Sequence, residues 1–320
     1  MHDIVIRSGK VVDGTGKAIQ QMDIAIDNGL ITAVGNDIGE GRTEIDASNH
    51  LVTPGFVDVH THYDGQATWD PEMSPSSYHG VTTTVFGNCG VGFAPAQPDS
   101  HDWLIQLMEG VEDIPGAALA EGIEWNWETF PEYLDALEKM PRVMDIATQV
   151  PHGSVRAYVM GERGARNEDP TADDLIAMAQ IVQEGIEAGA LGFTSSRTML
   201  HRALDGEPVP GTFAGAEELI AMGKAVADAG GGVVEVASDI GLGGLEGNFG
   251  SDIDWMRALA NDYGLTVTYA LNQADRHPQQ WRELLELSSA PIDGDGKVTV
   301  SYTHLRAHET REDRVLRRLG

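Results

Sequence analysis

The chain has 320 residues, 41% of them hydrophobic, with 38 glycines and a formal net charge of −29. That composition excludes a disordered chain, and the negative charge disfavours nucleic-acid backbones and anionic membrane surfaces as partners while saying little about a small substrate, whose local site can carry the opposite sign. The single cysteine, Cys89, excludes an intrachain disulfide; with no basic n-region at the start and no apolar run near 18 residues, a cytoplasmic protein is the expectation.

The first 54 residues read as a small β module. Asp3–Ser8, Lys10–Val12, Met22–Ile26 and Ile31–Val34 are apolar or alternating runs, punctuated by Asp13-Gly14, Asn28-Gly29 and Gly35-Asn36. Such a module is too short to bury much core alone. From Gly55 onward strands alternate with helices. Phe56–Val59, Thr82–Phe86, Asp145–Gln149, Ala190–Phe193, Gly232–Val236 and Leu265–Ala270 are strand candidates. Helical patterns lie at Trp103–Glu109, Phe130–Leu137, Thr171–Ala188, Ala216–Ala229 and Asp252–Asp262, the third with an N-cap candidate in Thr171. Six β-then-α units in series predict a parallel α/β barrel, here cut short, over residues 55–299. A doubly wound sheet is the alternative, but no Gly-x-Gly-x-x-Gly follows the first strand. Residues 300–320 break the pattern: they carry five of the 21 basic residues and three of the 50 acidic ones. Val300-Ser301-Tyr302-Thr303-His304-Leu305-Arg306-Ala307-His308-Glu309-Thr310 resembles translated sequencing-adapter read-through, so the tail reads as atypical and foreign, the other possibility being a genuine basic helix.

In a parallel barrel the reactive side chains sit at the C-terminal strand ends. Asp58-Val59-His60-Thr61-His62 closes the first such strand. Residues i and i+2 share a face, so His60 and His62 project together as half of a metal site. The second strand ends at Gly87-Asn88-Cys89-Gly90. Its flanking glycines admit close backbone approach, and a thiolate binds zinc well, although a small buried hydrophobe or a nucleophile is also open to Cys89. His152 and Ser196 end the third and fourth strands. Arg197 offers a fork for a substrate carboxylate, with a salt bridge as the competing role. Asp58 is a candidate orienter of the histidines. Asp239 reads as a turn-former, Asp64 as a loop residue, and Trp125 and Trp127 as packing. His79, His101, His201 and His277 have no strand-end argument and read as solvated or helix-side.

Thr53-Pro54-Gly55-Phe56-Val57-Asp58-Val59-His60-Thr61-His62 resembles the opening strand of the amidohydrolase superfamily. Gly87-Asn88-Cys89-Gly90 with Phe93-Ala94-Pro95 resembles the second-strand signature of its D-aminoacylase branch, the N-acyl-D-amino-acid deacylases. The likeness continues through Met108–Pro115, Pro151–Arg156 and Gly192–Arg197, over roughly residues 3 to 298. It implies a metal-bearing (β/α)8 TIM-type barrel, incomplete here, with residues 1–54 as part of a composite β-sandwich. It also implies one or two zinc ions held by His60, His62 and Cys89, with substrate contacts from Arg197, His152 and Ser196. The implied reaction is hydrolysis of an N-acyl-D-amino acid to a carboxylate and a D-amino acid. The acid/base carboxylate is expected on an eighth strand, past the sequence in hand, together with strand seven, so no catalytic residue is assigned.

Two alternatives stand beside this one. A cyclic-amide hydrolase of the dihydropyrimidinase type shares the His-x-His start, but Ala190–Arg197 lacks the lysine that type uses. A metal-free barrel acting as a binding module is favoured by strands five and six, where Val233–Asp239 and Tyr269–Gln273 carry no histidine. The resemblance therefore does not supply a complete ligand set, and the oligomeric state is not legible.

Overall fold

Asn28 and Gly29 both take positive φ, 52° and 77°, and close a two-residue hairpin between paired Asp27 and Leu30, as the Asn-Gly signal predicts. The structure, a computed structural model, describes residues 1–239, 249–273, 278–292 and 294–304, with the backbone alone for 249–251 and 301–304. It divides into two units, residues 1–56 and 57–320.

The first unit is one sheet. Its strands are β1 (His2–Val11), β2 (Gln20–Asp27), β3 (Leu30–Gly35), β4 (Gly41–Asp46) and β5 (Leu51–Val52). They run in the order β3-β2-β1-β4, with β5 continuing beside β1. The two strands expected at Asp3–Ser8 and Lys10–Val12 are one, carried past a bulge where the register with β2 shifts between Ile6 and Gly9. Val5, Val11, Ile24, Ala25 and Ala47 are buried, while Leu30, Ile31, Val34, Ile45 and Leu51 stay exposed. That is the modest core expected of so short a module.

The second unit continues the strand series with β6 (Phe56–Asp58), β7 (Val81–Phe86), β8 (Asp145–Thr148), β9 (Val150–Pro151), β10 (Gly192–Arg197), β11 (Val233–Ser238), β12 (Thr266–Asn272) and β13 (Lys297–His304). The spatial orders are β6-β7-β8 and β9-β10-β11-β12-β13, every observed register from β7 onward being parallel. Gln149 joins the two sheets: its amide donates to Phe86 O at 3.0 Å, and Leu191 N donates to Thr148 O at 2.8 Å. Strands thus follow one another in chain order around an α/β barrel that is not closed among the described residues.

The helices are α1 (His101–Glu112), α2 (Gly116–Gly122), α3 (Phe130–Lys139), α4 (His152–Met160), α5 (Glu162–Ala165), α6 (Ala172–Glu187), α7 (Ala216–Asp228), α8 (Phe249–Tyr263) and α9 (Gln280–Ser288). Four of them, α2, α4, α5 and α9, are not among the expected helices, although α9 carries an amphipathic spacing in Trp281, Leu284 and Leu285. Thr171 caps α6 as predicted, in a reciprocal box with Asp174. Phe86, Phe93, Phe130, Tyr133 and Phe193 fill the core between sheet and helices.

Three expectations change. The opening strand is not buried: Phe56 and Val57 are each 59% exposed, because β6 lies at the edge of its sheet. β10 begins and ends later than predicted, so Thr194–Arg197 are strand residues and not an end loop. Strand seven is present as β13, and its ladder with β12 runs through position 300, with a register shift between Tyr269 and Ala270. Hydrogen bonding along an existing strand edge is indifferent to side-chain composition, which is what had set these residues apart.

Candidate metal centre

The segment after β6 is pinned to β7. Thr61 N and Oγ1 both donate to Val85 O, at 3.0 and 2.7 Å, and Asn88 Nδ2 donates to Thr61 O at 2.9 Å. His60 and His62 therefore leave on one side, their rings 5.5 Å apart and edge to face. After β7 the chain turns through Gly87 (φ 78°), Asn88, Cys89 (φ 56°) and Gly90 (φ 69°). A Cβ on Gly87 would sit 2.3 Å from Gln149 O, and one on Gly90 would sit 2.8 Å from Ser196 N. Only glycine permits that approach, and it leaves Cys89 in a left-handed conformation that is costly for a side-chain-bearing residue. The strained turn sets Cys89 Sγ 3.3 Å from His60 Nε2.

His60, His62 and Cys89 bring their ligand atoms within 4.8 Å of one another. Behind them stands a partner the sequence reading missed: Glu235, on β11 and 4% exposed, places Oε1 3.0 Å from His60 Nδ1. Its other oxygen accepts from Gln149 Nε2 at 3.1 Å, and Gln149 Nε2 also donates to Asn88 Oδ1 at 2.8 Å. Asp58, the expected orienter, instead lies 3.4 Å from the backbone amide of His60. An i, i+2 side chain turns back onto its own main chain more readily than it reaches a ring beyond it.

Glu112, at the end of α1, is a second missed residue; its Oε1 lies 3.2 Å from His62 Nε2. His201 is a third, and corrects the expectation of a solvated histidine: it joins Cys89 and Glu112 in a further group with ligand atoms within 4.8 Å. Ser196 Oγ lies 3.0 Å from His201 Nδ1. Neither residue has a periodic or strand-end signal, since a helix end and a long connection deliver them. Burial pulls the His62 pKa down to about 3, assisted by the charge of His60, so this ring is neutral and ready to ligate. Its Nδ1 is buried without a hydrogen-bond partner. Asp64 lies in a turn, as its reading as a loop residue expects, but is only 1% exposed; burial and then the charge of Glu112 raise its carboxyl well above the ordinary range.

His152, Arg197 and Asp239 are engaged elsewhere. His152 is fully buried, its Nδ1 2.9 Å from Ser195 Oγ and its Nε2 2.9 Å from Glu218 Oε1, with Arg156 pairing with the same carboxylate. This resembles a Ser–His–carboxylate triad, but Ser195 and His152 are both 0% exposed and offer a substrate no surface. Burial lowers the His152 pKa. It opposes ionisation of Glu218 too, yet His152 and Arg156 hold that carboxyl below its usual value. Arg197 spends its guanidinium on Asp252, at 3.1 Å, and on the carbonyl of Ala214. Its salt-bridge role is thus the one observed, in place of an open fork for substrate. Asp239 accepts from Thr198 Oγ1 and, at 2.8 Å, from Met199 N, holding the loop after β10. Trp127 is buried and donates to Phe93 O at 2.8 Å, while Trp125 stacks on His101, which is packing as expected. His79 is exposed; Ala274, Asp275 and His277 lie outside the described residues.

Residues 43–308 match the model of the Amidohydrolase family. Among curated relatives, an uncharacterised protein of Mycobacterium tuberculosis is 34% identical over 225 residues, covering 67% of this chain and 36% of its own length. The D-aminoacylase of Alcaligenes xylosoxydans xylosoxydans is 31% identical over 195 residues, 60% of this chain and 37% of that protein. Among solved structures, a D-aminoacylase described with a binuclear metal centre superposes with a TM-score of 0.73 at 26% identity. The match covers 94% of this chain and 58% of that one. The chain thus spans little more than a third of the length of these curated relatives.

Proposed function

The chain belongs to the amidohydrolase family, and on that footing we propose a metal-dependent hydrolase of linear amides, with N-acyl-D-amino acids as the substrate class. The observation that carries this reading is the meeting of two imidazoles and a thiol, drawn from two successive strand ends, within 4.8 Å. Two nitrogens and one sulfur suit zinc, and the buried, unbonded Nδ1 of His62 is a polar atom that no protein group satisfies. His60, His62 and Cys89 would hold the ion, in the number of one or two per chain. Once bound, zinc supplies Lewis acidity toward an acyl carbonyl and a water acidic enough to ionise near neutral pH.

The remaining roles fall to this chain's own side chains. Glu235 sets its carboxylate 3.0 Å from His60 Nδ1, a charge beside the ring that favours its role as a ligand. His60 Nε2 lies 3.3 Å from Cys89 Sγ, and Gln149 holds Glu235 through its other oxygen. The turn at Gly87–Gly90 keeps the thiol at the strand end without a long side chain. A small N-acyl amino acid is the implied partner. A cyclic-amide reading rests on fold alone, since the hydantoinase structures are 15% identical.

A second reading has a specific observation in its favour. Cys89, His60 and Glu235 form a thiol–imidazole–carboxylate chain with steps of 3.3 and 3.0 Å, the arrangement of a cysteine nucleophile with its base. Zinc reconstitution followed by elemental analysis separates the two. About one or two zinc per folded chain, lost in His60→Ala, supports the hydrolase and directs assays to release of D-amino acids from N-acyl substrates. A folded chain that takes up no zinc, with Cys89 alkylated rapidly by iodoacetamide, overturns it in favour of the nucleophile.

A further inference from the structure

We infer that His201 is a substrate-binding residue, a neutral imidazole that donates to an oxygen of the N-acyl amino acid, and that Asn167 is the positioning residue for the loop that carries it. The inference rests on the metal-dependent reading above and assigns neither residue to the metal.

Residues 198–211 leave β10 and fold back on themselves. Ala203 N donates to Glu207 O at 2.9 Å, and Val209 N donates to His201 O at 3.2 Å. The loop lies against α1, where a Cβ on Gly110 would sit 2.6 Å from Arg202 O. That packing, two residues from Glu112, brings the imidazole to the strand ends: a ring nitrogen of His201, a Glu112 carboxylate oxygen and Cys89 Sγ lie within 4.8 Å of one another. Catalytic zinc sites keep three protein ligands and one further position for water or substrate. His60, His62 and Cys89 make up the three, so an imidazole beside the thiol borders the place where substrate oxygens arrive. His201 is half-buried and within reach of a ligand, unlike the fully buried His152. Ser196 Oγ lies 3.0 Å from His201 Nδ1. With that hydroxyl donating, the proton of the neutral ring resides on Nε2 and makes it a donor.

Asn167 (φ 58°), between α5 and α6, fixes the returning half of the loop. Its Nδ2 donates to Pro208 O at 3.1 Å and to Val209 O at 3.2 Å, and its Oδ1 accepts from Gly211 N at 2.8 Å. Val209 is the residue whose amide holds His201 O, so the Asn167 amide acts on the imidazole through one intervening residue.

The test is calorimetric titration of the zinc-loaded full chain with N-acetyl-D-leucine, with zinc content read by elemental analysis. His201→Ala is expected to keep wild-type zinc and to bind the probe about 3- to 10-fold more weakly, the worth of one neutral hydrogen bond. His201→Gln, which keeps a neutral N–H donor, should recover most of that loss. Asn167→Asp removes both donors while tolerating the positive φ; it should weaken binding in the wild-type chain and add nothing in the His201→Ala chain. Zinc lost in His201→Ala, unchanged affinity in that variant, or no binding by zinc-loaded wild type overturns the substrate-binding role. Weakened binding in His201→Ala with none in Asn167→Asp overturns the positioning role. A folded wild type that takes up no zinc overturns the metal-dependent reading itself. Circular dichroism checks the fold of each variant. Should His201→Ala not fold, His201→Phe, which fills the space without a donor, takes its place.

Discussion

Glu235 occupies no expected ligand position, yet its carboxylate, 3.0 Å from His60 Nδ1, is the buried charge that faces that ring. Removing its charge in Glu235→Gln is expected to weaken metal affinity by about 10- to 100-fold without unfolding the chain, measured by competition with a chromophoric chelator. The buried network at His152 makes the opposite prediction. Glu218→Gln strands the guanidinium of Arg156, which is 2% exposed, and should cost about 3–5 kcal/mol in urea denaturation while leaving metal content unchanged. Ser195→Ala removes only a neutral partner of the neutral His152 ring, so a smaller loss of about 1–2 kcal/mol is expected. The two clusters are separable because one is built from strand-end loops and the other from strand, helix and core. His60, His62 and Cys89 were legible in the sequence because local patterns place them. Glu112, His201 and Glu235 were not, because only folding brings residues so far apart in the chain to one point.

At the scale of the element, helix α6 shows how local rules hold when nothing competes with them. Thr171 and Asp174 satisfy one another's backbone amides, and Arg163 bridges to Asp174, whose carboxyl is held down at about 2, first by that Arg163 contact. Thr171→Ala should therefore cost about 1 kcal/mol in thermal or urea unfolding. The turn after β7 is the contrary case. Its Gly-Asn-Cys-Gly pattern signals a tight loop, but the reason for both glycines is tertiary: the backbones of Gln149 and Ser196 leave no room for a Cβ. Strand limits fared less well than strand positions, most visibly at β10, whose polar Thr194–Arg197 read as a loop. Thr194 and Ser195 are completely buried in the structure, satisfied by contacts such as those of Ser195 with His152 and Thr194 Oγ1 with Gly87 O.

For the molecule as a whole, charge is the dominant global property, and the first unit is where acid should act on it most simply. Arg7 pairs with Asp23 and Glu44, while Asp27 is bonded by Thr32 and His2. Contacts led by Arg7 hold the Glu44 carboxyl at about 2, and contacts led by Thr32 do the same for Asp27. Both values lie below the ordinary carboxylate range. The stability they confer is thus present above about pH 4 and lost as pH falls through about 2. Hydrogen exchange of β1 and β2 amides should show protection falling over that window, and high salt should blunt the effect because these groups are exposed. Among the described residues no helix is long and apolar enough to cross a membrane.

Turn chemistry, capping and the alternation of strands with helices were determined by the sequence, because each depends on neighbours a few residues away. So was the nucleus of the metal centre, since His60 and His62 share a face by strand geometry and Cys89 sits between glycines at the next strand end. The tertiary structure alone decided which carboxylates and which further histidine surround that nucleus. It also decided that His152 is buried and Arg197 is taken by Asp252, and that β13 extends the sheet through residue 300. These outcomes depend on packing and hydrogen bonding between segments far apart in the chain, where no local pattern records which side chain will be left facing which.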